Sequence, residues 1–288
     1  MTTIHKCSMR KSEFIAIATA GLIASCSFYS YEKNEAQERE RRKQDQMPEY
    51  SISFDGHSVG QAPEFSAITD VKAKKKAFFD YLRPGIAFEN QRILDERKRL
   101  NKIQARLQAG QLSSNDTNHA KRLSELYNVE LEPSGINQQW LDQMFHRVDV
   151  IPEALVLVQG ANESAWGTSR FAIQANNYFG QWCYSTGCGL VPMARGEGMT
   201  HEVAKFSSVQ QSIQGYFMNV NRNLAYEELR EIRYQRHLSG ESLTDTDAAI
   251  ALTNGLLKYS ERGEAYVKDL QAMIRHNQAF WEAPLTKE

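Results

Sequence analysis

The 288-residue chain carries 34 basic and 35 acidic residues and 41% hydrophobic residues. That near-neutral balance leaves no basic footprint for a nucleic-acid partner. Removing residues 1–25 takes away Lys6, Arg10, Lys11 and Glu13 and leaves 31 basic against 34 acidic residues, so the exclusion holds for a processed chain as well.

The first thirty residues bear on location. Lys6, Arg10 and Lys11 form a basic region, and Phe14 to Ala24 is an apolar run interrupted only by Thr19 and Gly21. It closes on Ile23-Ala24-Ser25-Cys26, which resembles the lipobox of bacterial lipoprotein precursors. The resemblance implies cleavage after residue 25 and acylation of Cys26. Ser27 stands where an inner-membrane retention aspartate is common, so an outer-membrane lipoprotein facing the periplasm is expected. The competing expectation is an uncleaved anchor from Phe14 to Ser30, somewhat short of the roughly 20 apolar residues a span requires.

Residues 26–68 read as a solvated tether: Tyr31 to Gln46 is dominated by charged and amide side chains, and the stretch beyond adds Pro, Gly and Ser. A helical extension over 69–135 follows. Its first helix is expected to run from Val71 to Leu82 and stop before Pro84, and its second from Ile86 to Gln108, closed by Gly110. Leu94, Leu100, Ile103 and Leu107, then Leu123, Leu126 and Tyr127, recur at helical spacing and are expected to be packing surface. Whether this extension caps a cleft, docks an unknown protein partner or braces the next domain is open.

Residues 136–288 are numerous enough for one compact domain with its own core. Helices are expected near 136–147, 151–165, 208–237, 244–257 and 262–280, interrupted by a Gly-rich stretch, Phe179 to Phe206, with a strand at His201 to Phe206. The expected class is α+β, a mainly helical body with a small β-hairpin lobe. Cys183 and Cys188, around Gly187, are expected to form a disulfide. A metal site there is the weaker alternative, because the pair lacks CxxC spacing and His201 alone does not complete a tetrahedral set.

Chemistry concentrates at the end of the second of these helices. Ile151 to Ala165 is apolar on nearly every face, yet Gln159, Asn162 and Glu163 share one stripe at i, i+3 and i+4 and are expected to line a cleft. Desolvation of Glu163 would raise its pKa and suit a general acid working near neutral pH; pairing with an Arg or with backbone amides is the plainer alternative. No GxSxG elbow, no phosphate-binding glycine loop and no cofactor signature appears in the sequence.

The run Glu163-Ser164-Ala165-Trp166-Gly167-Thr168-Ser169, followed by Asn176-Asn177-Tyr178-Phe179-Gly180, resembles the ESxWGxS and NNxFG pair of glucosaminidase-type peptidoglycan hydrolases, glycoside hydrolase family 73. The similarity extends over about Ile136 to Trp281 and includes Lys205-Phe206 before Tyr216-Phe217, and Leu256-Leu257-Lys258-Tyr259 with Tyr266. It implies a lysozyme-like fold cleaving a β-1,4 bond after N-acetylglucosamine in the glycan strands of the cell wall. It also implies Glu163 as general acid, Tyr259 as active-site tyrosine, and Asn177, Phe179 and Gly180 as the cleft floor. The chain departs from the pattern at the second carboxylate, where Glu197 and Glu202 both stand. Glu202 is preferred because a strand position can point its side chain into the cleft, whereas Glu197, between Gly196 and Gly198, suits a turn tip. Trp182 and Tyr184 are expected to stack on sugar rings, and Trp166 to be core.

Such hydrolysis passes through an oxocarbenium-like transition state, so one carboxylic acid must protonate the departing oxygen. A second group must activate water or stabilise the cation, unless the substrate's acetamido oxygen serves. Two other functions fit the same residues: a muramidase or lytic transglycosylase on this fold, and a glycan-binding lipoprotein without turnover.

Overall fold

The computed structural model describes residues 59–193, 195 and 199–282. The expected signal segment, Cys7, the acylation site Cys26, most of the tether and Glu197 lie outside these residues. Among the described residues no helix is long and apolar enough to cross a membrane.

The expected α+β, lysozyme-like architecture is observed: nine α-helices and a small antiparallel sheet among the described residues. The sheet has three strands rather than a simple hairpin. β1 (Trp182–Cys183) and β2 (Gly189–Leu190) flank β3 (Glu202–Ala204) in the order β1-β3-β2, with Trp182 opposite Val203 and Leu190 opposite Val203 from the other side.

The largest departure from expectation is at Pro84. Val71–Gln108 is one 38-residue helix, α1, with Pro84 inside it. A proline interior to a helix forfeits one backbone bond, at about 3 kcal/mol. Burial on both sides of the break offsets that: Phe78, Phe79, Leu82, Ile86 and Ile93 are all fully buried. Gly85 follows the proline for a packing reason. A Cβ there would lie 2.6 Å from both Gln210 Oε1 and Ile213 Cδ1, so its absence allows close approach to α6 (Val209–Arg222). Asp70 caps α1 through Ala73 N at 2.7 Å. Of the predicted stripe, Leu100 and Ile103 are buried but Leu94 is 39% exposed, its place in the core taken by Ile93.

α2 (Ser114–Tyr127) opens with a reciprocal capping box between Ser113 and Asp116. α3 (Gln138–Arg147) and α4 (Glu153–Glu163) follow, joined by a short link that two buried arginines fasten. Arg97 donates to Phe145 O and Val148 O, and Arg233 donates to His146 O, Asp149 O, Val150 O and Asn221 Oδ1.

A short helix that the sequence pattern did not suggest, α5 (Arg170–Ala175), carries the chain from α4 to the sheet, its N-cap Ser169 accepting from Ala172 N. The segment expected as one helix over 208–237 is two, α6 and α7 (Glu227–Leu238), divided by extended Asn223 and a 3-10 turn at Leu224–Tyr226. α8 (Thr246–Thr253) and α9 (Glu264–His276) complete the body, and α9 packs on α4 to bring its first turn behind Glu163.

Candidate active site

Glu163 is the last residue of α4. The chain leaves the helix through Ala165 (φ 49°), Trp166 (φ 58°) and Gly167 (φ 78°), three successive left-handed residues. Such a run is costly for side-chain-bearing residues, so surrounding contacts must hold it. Ser164, fully buried, supplies one clamp: its hydroxyl donates to Gly160 O at 2.6 Å and accepts from Gly167 N at 2.8 Å. Trp166 supplies the other, its ring 5.7 Å from Phe78 and 5.4 Å from Phe79 of α1 with the Lys75 ammonium over its face. Trp166 is half-buried and not core as expected, but it does wedge the end of α4 against α1.

The turn delivers a half-buried carboxyl with two unlike oxygens. Oε1 accepts from the Tyr266 hydroxyl at 2.8 Å and from Asn162 Nδ2 at 3.2 Å. Oε2 faces Gly180, where a Cβ would stand only 3.1 Å away. Gly180 has φ +64°, so it serves twice: its backbone occupies a region that disfavours side chains, and its bareness leaves Oε2 clear. Burial pushes the Glu163 carboxyl above its ordinary range, against the opposing pull of the Tyr266 and Asn162 hydrogen bonds. Its position at a helix C-terminus acts in the same direction as burial, since the macrodipole disfavours a negative charge there.

Gln159 does not line the cleft. It is fully buried behind the acid, where its amide nitrogen donates to Tyr266 Oη at 3.0 Å and its oxygen accepts from the Tyr216 hydroxyl. The tyrosine bonded to Glu163 is thus Tyr266, whereas the family resemblance names Tyr259 as the active-site tyrosine. Tyr259 is adjacent, its ring stacked on Tyr266 at 5.8 Å and 3°, but its hydroxyl donates to Phe179 O at 2.6 Å. Burial raises both phenols well above the ordinary tyrosine range, so each is a donor at neutral pH. No spacing rule in the sequence separates the two; the distinction depends on how α9 leans on α4.

The cleft-floor residues divide by role. Asn177 is buried, and its side chain is spent on backbone: Nδ2 donates to Gln181 O and Ala204 O, and Oδ1 accepts from Phe179 N and Gln181 N. It folds the turn that presents Gly180, and it is not free to meet a sugar. Phe179 is fully buried and stacked 4.5 Å from Tyr216, so its contribution to the site is its carbonyl. Trp182, 45% exposed, stacks flat on His201 at 4.2 Å and 10° and offers its other face outward. Tyr184 lies two residues further along, half-buried, beside the disulfide.

Glu202 is buried on β3, with its carboxylate turned to the disulfide loop instead of the cleft. Oε1 accepts from Gly187 N at 3.0 Å and Oε2 from Gly189 N at 2.8 Å, and these amides hold its carboxyl below the ordinary range. Glu202 is therefore not the cleft-facing carboxylate expected of its strand: successive strand side chains face opposite sides, and this one faces the loop. Cys183 and Cys188 are disulfide-bonded, with Cα atoms 6.2 Å apart, as expected. The sulfurs are therefore not thiolate ligands, although Glu202 lies beside them.

A groove of about 750 Å³ lies elsewhere, between residues 59–66 and α5, lined in part by Tyr81, Ile173, Asn176 and Tyr178. Neither Glu163 nor Tyr266 borders it.

Comparison with known proteins decides what this geometry belongs to. The family described as glucosaminidase, mannosyl-glycoprotein endo-beta-N-acetylglucosaminidase, matches residues 138–279. Protein bax of Escherichia coli (strain K12) is 32% identical over 205 residues, which cover 71% of this chain and 70% of that protein. The chain belongs to the glucosaminidase family. It is accordingly a cell-wall glycoside hydrolase, and the acid at the end of α4 sits within the matched region. No solved structure matches this glucosaminidase.

Proposed function

We propose that this glucosaminidase is an endo-β-N-acetylglucosaminidase that cleaves β-1,4 bonds in peptidoglycan glycan strands, with Glu163 as general acid. The observation that carries the assignment is the asymmetry of its carboxyl: donors occupy Oε1, and Oε2 is open across Gly180. Burial raises the pKa of this half-buried carboxyl, the direction a general acid needs, and Oε2 is the oxygen placed to deliver a proton to the glycosidic oxygen. The outward face of Trp182 supports a pyranose, with Tyr184 beside it.

The second function in the two-carboxylate scheme does not fall to Glu202, whose oxygens are both engaged by amides. That observation favours keeping one-acid chemistry as the second reading, whether assisted by the substrate's acetamido oxygen or by transglycosylation.

The deciding experiment is digestion of purified peptidoglycan with the chain from residue 59 onward, beside a Glu163→Gln control, with new chain ends identified by mass spectrometry. Reducing-end N-acetylglucosamine that disappears in the control establishes the proposal. Muramic acid or 1,6-anhydro ends would move the assignment to a muramidase or a transglycosylase. Binding without new ends would leave a glycan-binding lipoprotein.

We also propose a periplasmic, lipid-anchored location through Cys26, supported by the basic and apolar run that precedes it. A Cys26→Ala chain that leaves the membrane fraction when cells are broken is the expected outcome; equal retention would sink it.

A further inference from the structure

We infer that Gln159 is a positioning residue that sets the direction of a buried hydrogen-bond chain, Tyr216 to Gln159 to Tyr266 to Glu163, and so assigns the transferable proton to Oε2. The inference rests on Glu163 being the acid and goes beyond it by naming what holds the proton in place.

The direction follows from donor counts. An ionised carboxylate only accepts, so Tyr266 must spend its single hydroxyl hydrogen on Glu163 Oε1, 2.8 Å away. Tyr266 Oη then has only lone pairs left, and the group 3.0 Å behind it must donate; Gln159 does so through Nε2. With the amide nitrogen committed, its oxygen faces Tyr216, which donates to it. Gln159 is the link whose giving and accepting atoms are separate, nitrogen toward Tyr266 and oxygen toward Tyr216. A carboxylate in its place accepts from both tyrosines, and an apolar residue accepts and gives nothing.

The same chain governs the protonated acid. If the proton sat on Oε1, Tyr266 would have to accept from both Glu163 and Gln159, and its own hydrogen would have to turn away from both. That leaves a buried hydroxyl hydrogen without an acceptor, a state folded proteins avoid. The proton therefore resides on Oε2, the oxygen that Gly180 leaves uncovered. Burial makes the ordering strict: Gln159 and Tyr216 are fully buried and Tyr266 is 2% exposed, so no solvent stands in for a missing partner.

The test is a direct titration of the Glu163 carboxyl by carbon NMR, paired with the pH dependence of peptidoglycan cleavage, in Gln159→Glu, Gln159→Met and Tyr266→Phe variants. Tyr266→Phe deletes the donor to Oε1, so the carboxyl titrates about one pH unit higher and the basic limb of the rate moves with it. Gln159→Glu redirects the Tyr266 hydrogen and adds a nearby charge, for an upward shift larger than that of Tyr266→Phe. Gln159→Met leaves Tyr266 without its donor and shifts the titration upward by less. Should Gln159→Glu not fold, the other two carry the test, with the melting temperature confirming that each is folded. A Glu163 titration unmoved in folded Gln159 variants while Tyr266→Phe shifts it would overturn the chain and leave Tyr266 acting alone. Unmoved titrations in all three variants would overturn it entirely. Retained cleavage by Glu163→Gln would instead sink the underlying assignment of the acid, and the two failures are thereby distinct.

Discussion

At the scale of single residues the site is a contest between desolvation and hydrogen bonding, decided differently at half-buried Glu163 and buried Glu202. At Glu163 burial is the larger effect, and the carboxyl is pushed up. At Glu202 two loop amides are the larger effect, and the carboxyl is held down. Opposite stability signatures follow. A raised carboxyl binds more protons folded than unfolded, so ionising Glu163 costs stability, and the cost fades as pH falls through its raised folded value and is gone below the unfolded value near 4.5. Glu163→Gln should abolish cleavage yet raise the melting temperature at pH 7 by a few degrees, a gain that vanishes near pH 4; calorimetry across that range checks it. Glu202 has the reverse sign: its contribution is present above the same unfolded value and is lost as pH falls through its depressed one. Glu202→Gln should therefore weaken the lobe at neutral pH, seen as faster amide exchange at Gly187 and Gly189. Turnover should fall by no more than about tenfold, since a brace is loosened and no proton donor is lost. A loss as deep as that of Glu163→Gln would return Glu202 to catalysis.

Among the elements, legibility tracked how local the information was. Glu163, the buried helix before it and the Cys183–Cys188 bond were readable because each is set by neighbours in sequence. The bond from Tyr266 to Glu163 has no sequence signal, because stacking of two tyrosines across a loop into α9 leaves no periodic trace. Asn177 illustrates the converse. Its motif position was visible, but its work inside the turn was not, since Ala204, one of its partners, lies 27 residues on. Arg233 carries no sequence signal of its role, as an arginine in a charged helix normally reads as solvated face. It is 1% exposed and holds the α3–α4 link through a fan of carbonyls. Replacing it strands those carbonyls, so Arg233→Met should cost about 3–5 kcal/mol. Denaturant unfolding measures that loss, and a cost below about 1 kcal/mol would show the link to be held by Arg97 and packing alone.

For the molecule as a whole, α1 decides where the domain begins. The family match starts at residue 138, and composition suggested a separate helical extension before it. The expected stop at Pro84 hid the continuity, because proline is a strong local signal and its cost is offset only by tertiary burial. Phe78 and Phe79 pack on Trp166, the wedge that holds the turn after Glu163, and Phe79 also meets Phe280 and Trp281 at the far end of the chain. Leu82 and Ile86 add two more fully buried side chains, and Arg83 bonds both Glu153 of α4 and Phe280 O. Removing α1 would uncover at least four large apolar side chains' worth of core, each worth about 1.5–3 kcal/mol, against a total stability of about 5–15 kcal/mol for a domain. A chain beginning at Ile136 should therefore lack a cooperative thermal transition and expose apolar surface to a hydrophobic dye. The chain beginning at Val59 should melt in one step. If the shorter chain melts cooperatively and cleaves peptidoglycan, α1 is an appendage, and the turn that presents Glu163 is held by Ser164 alone.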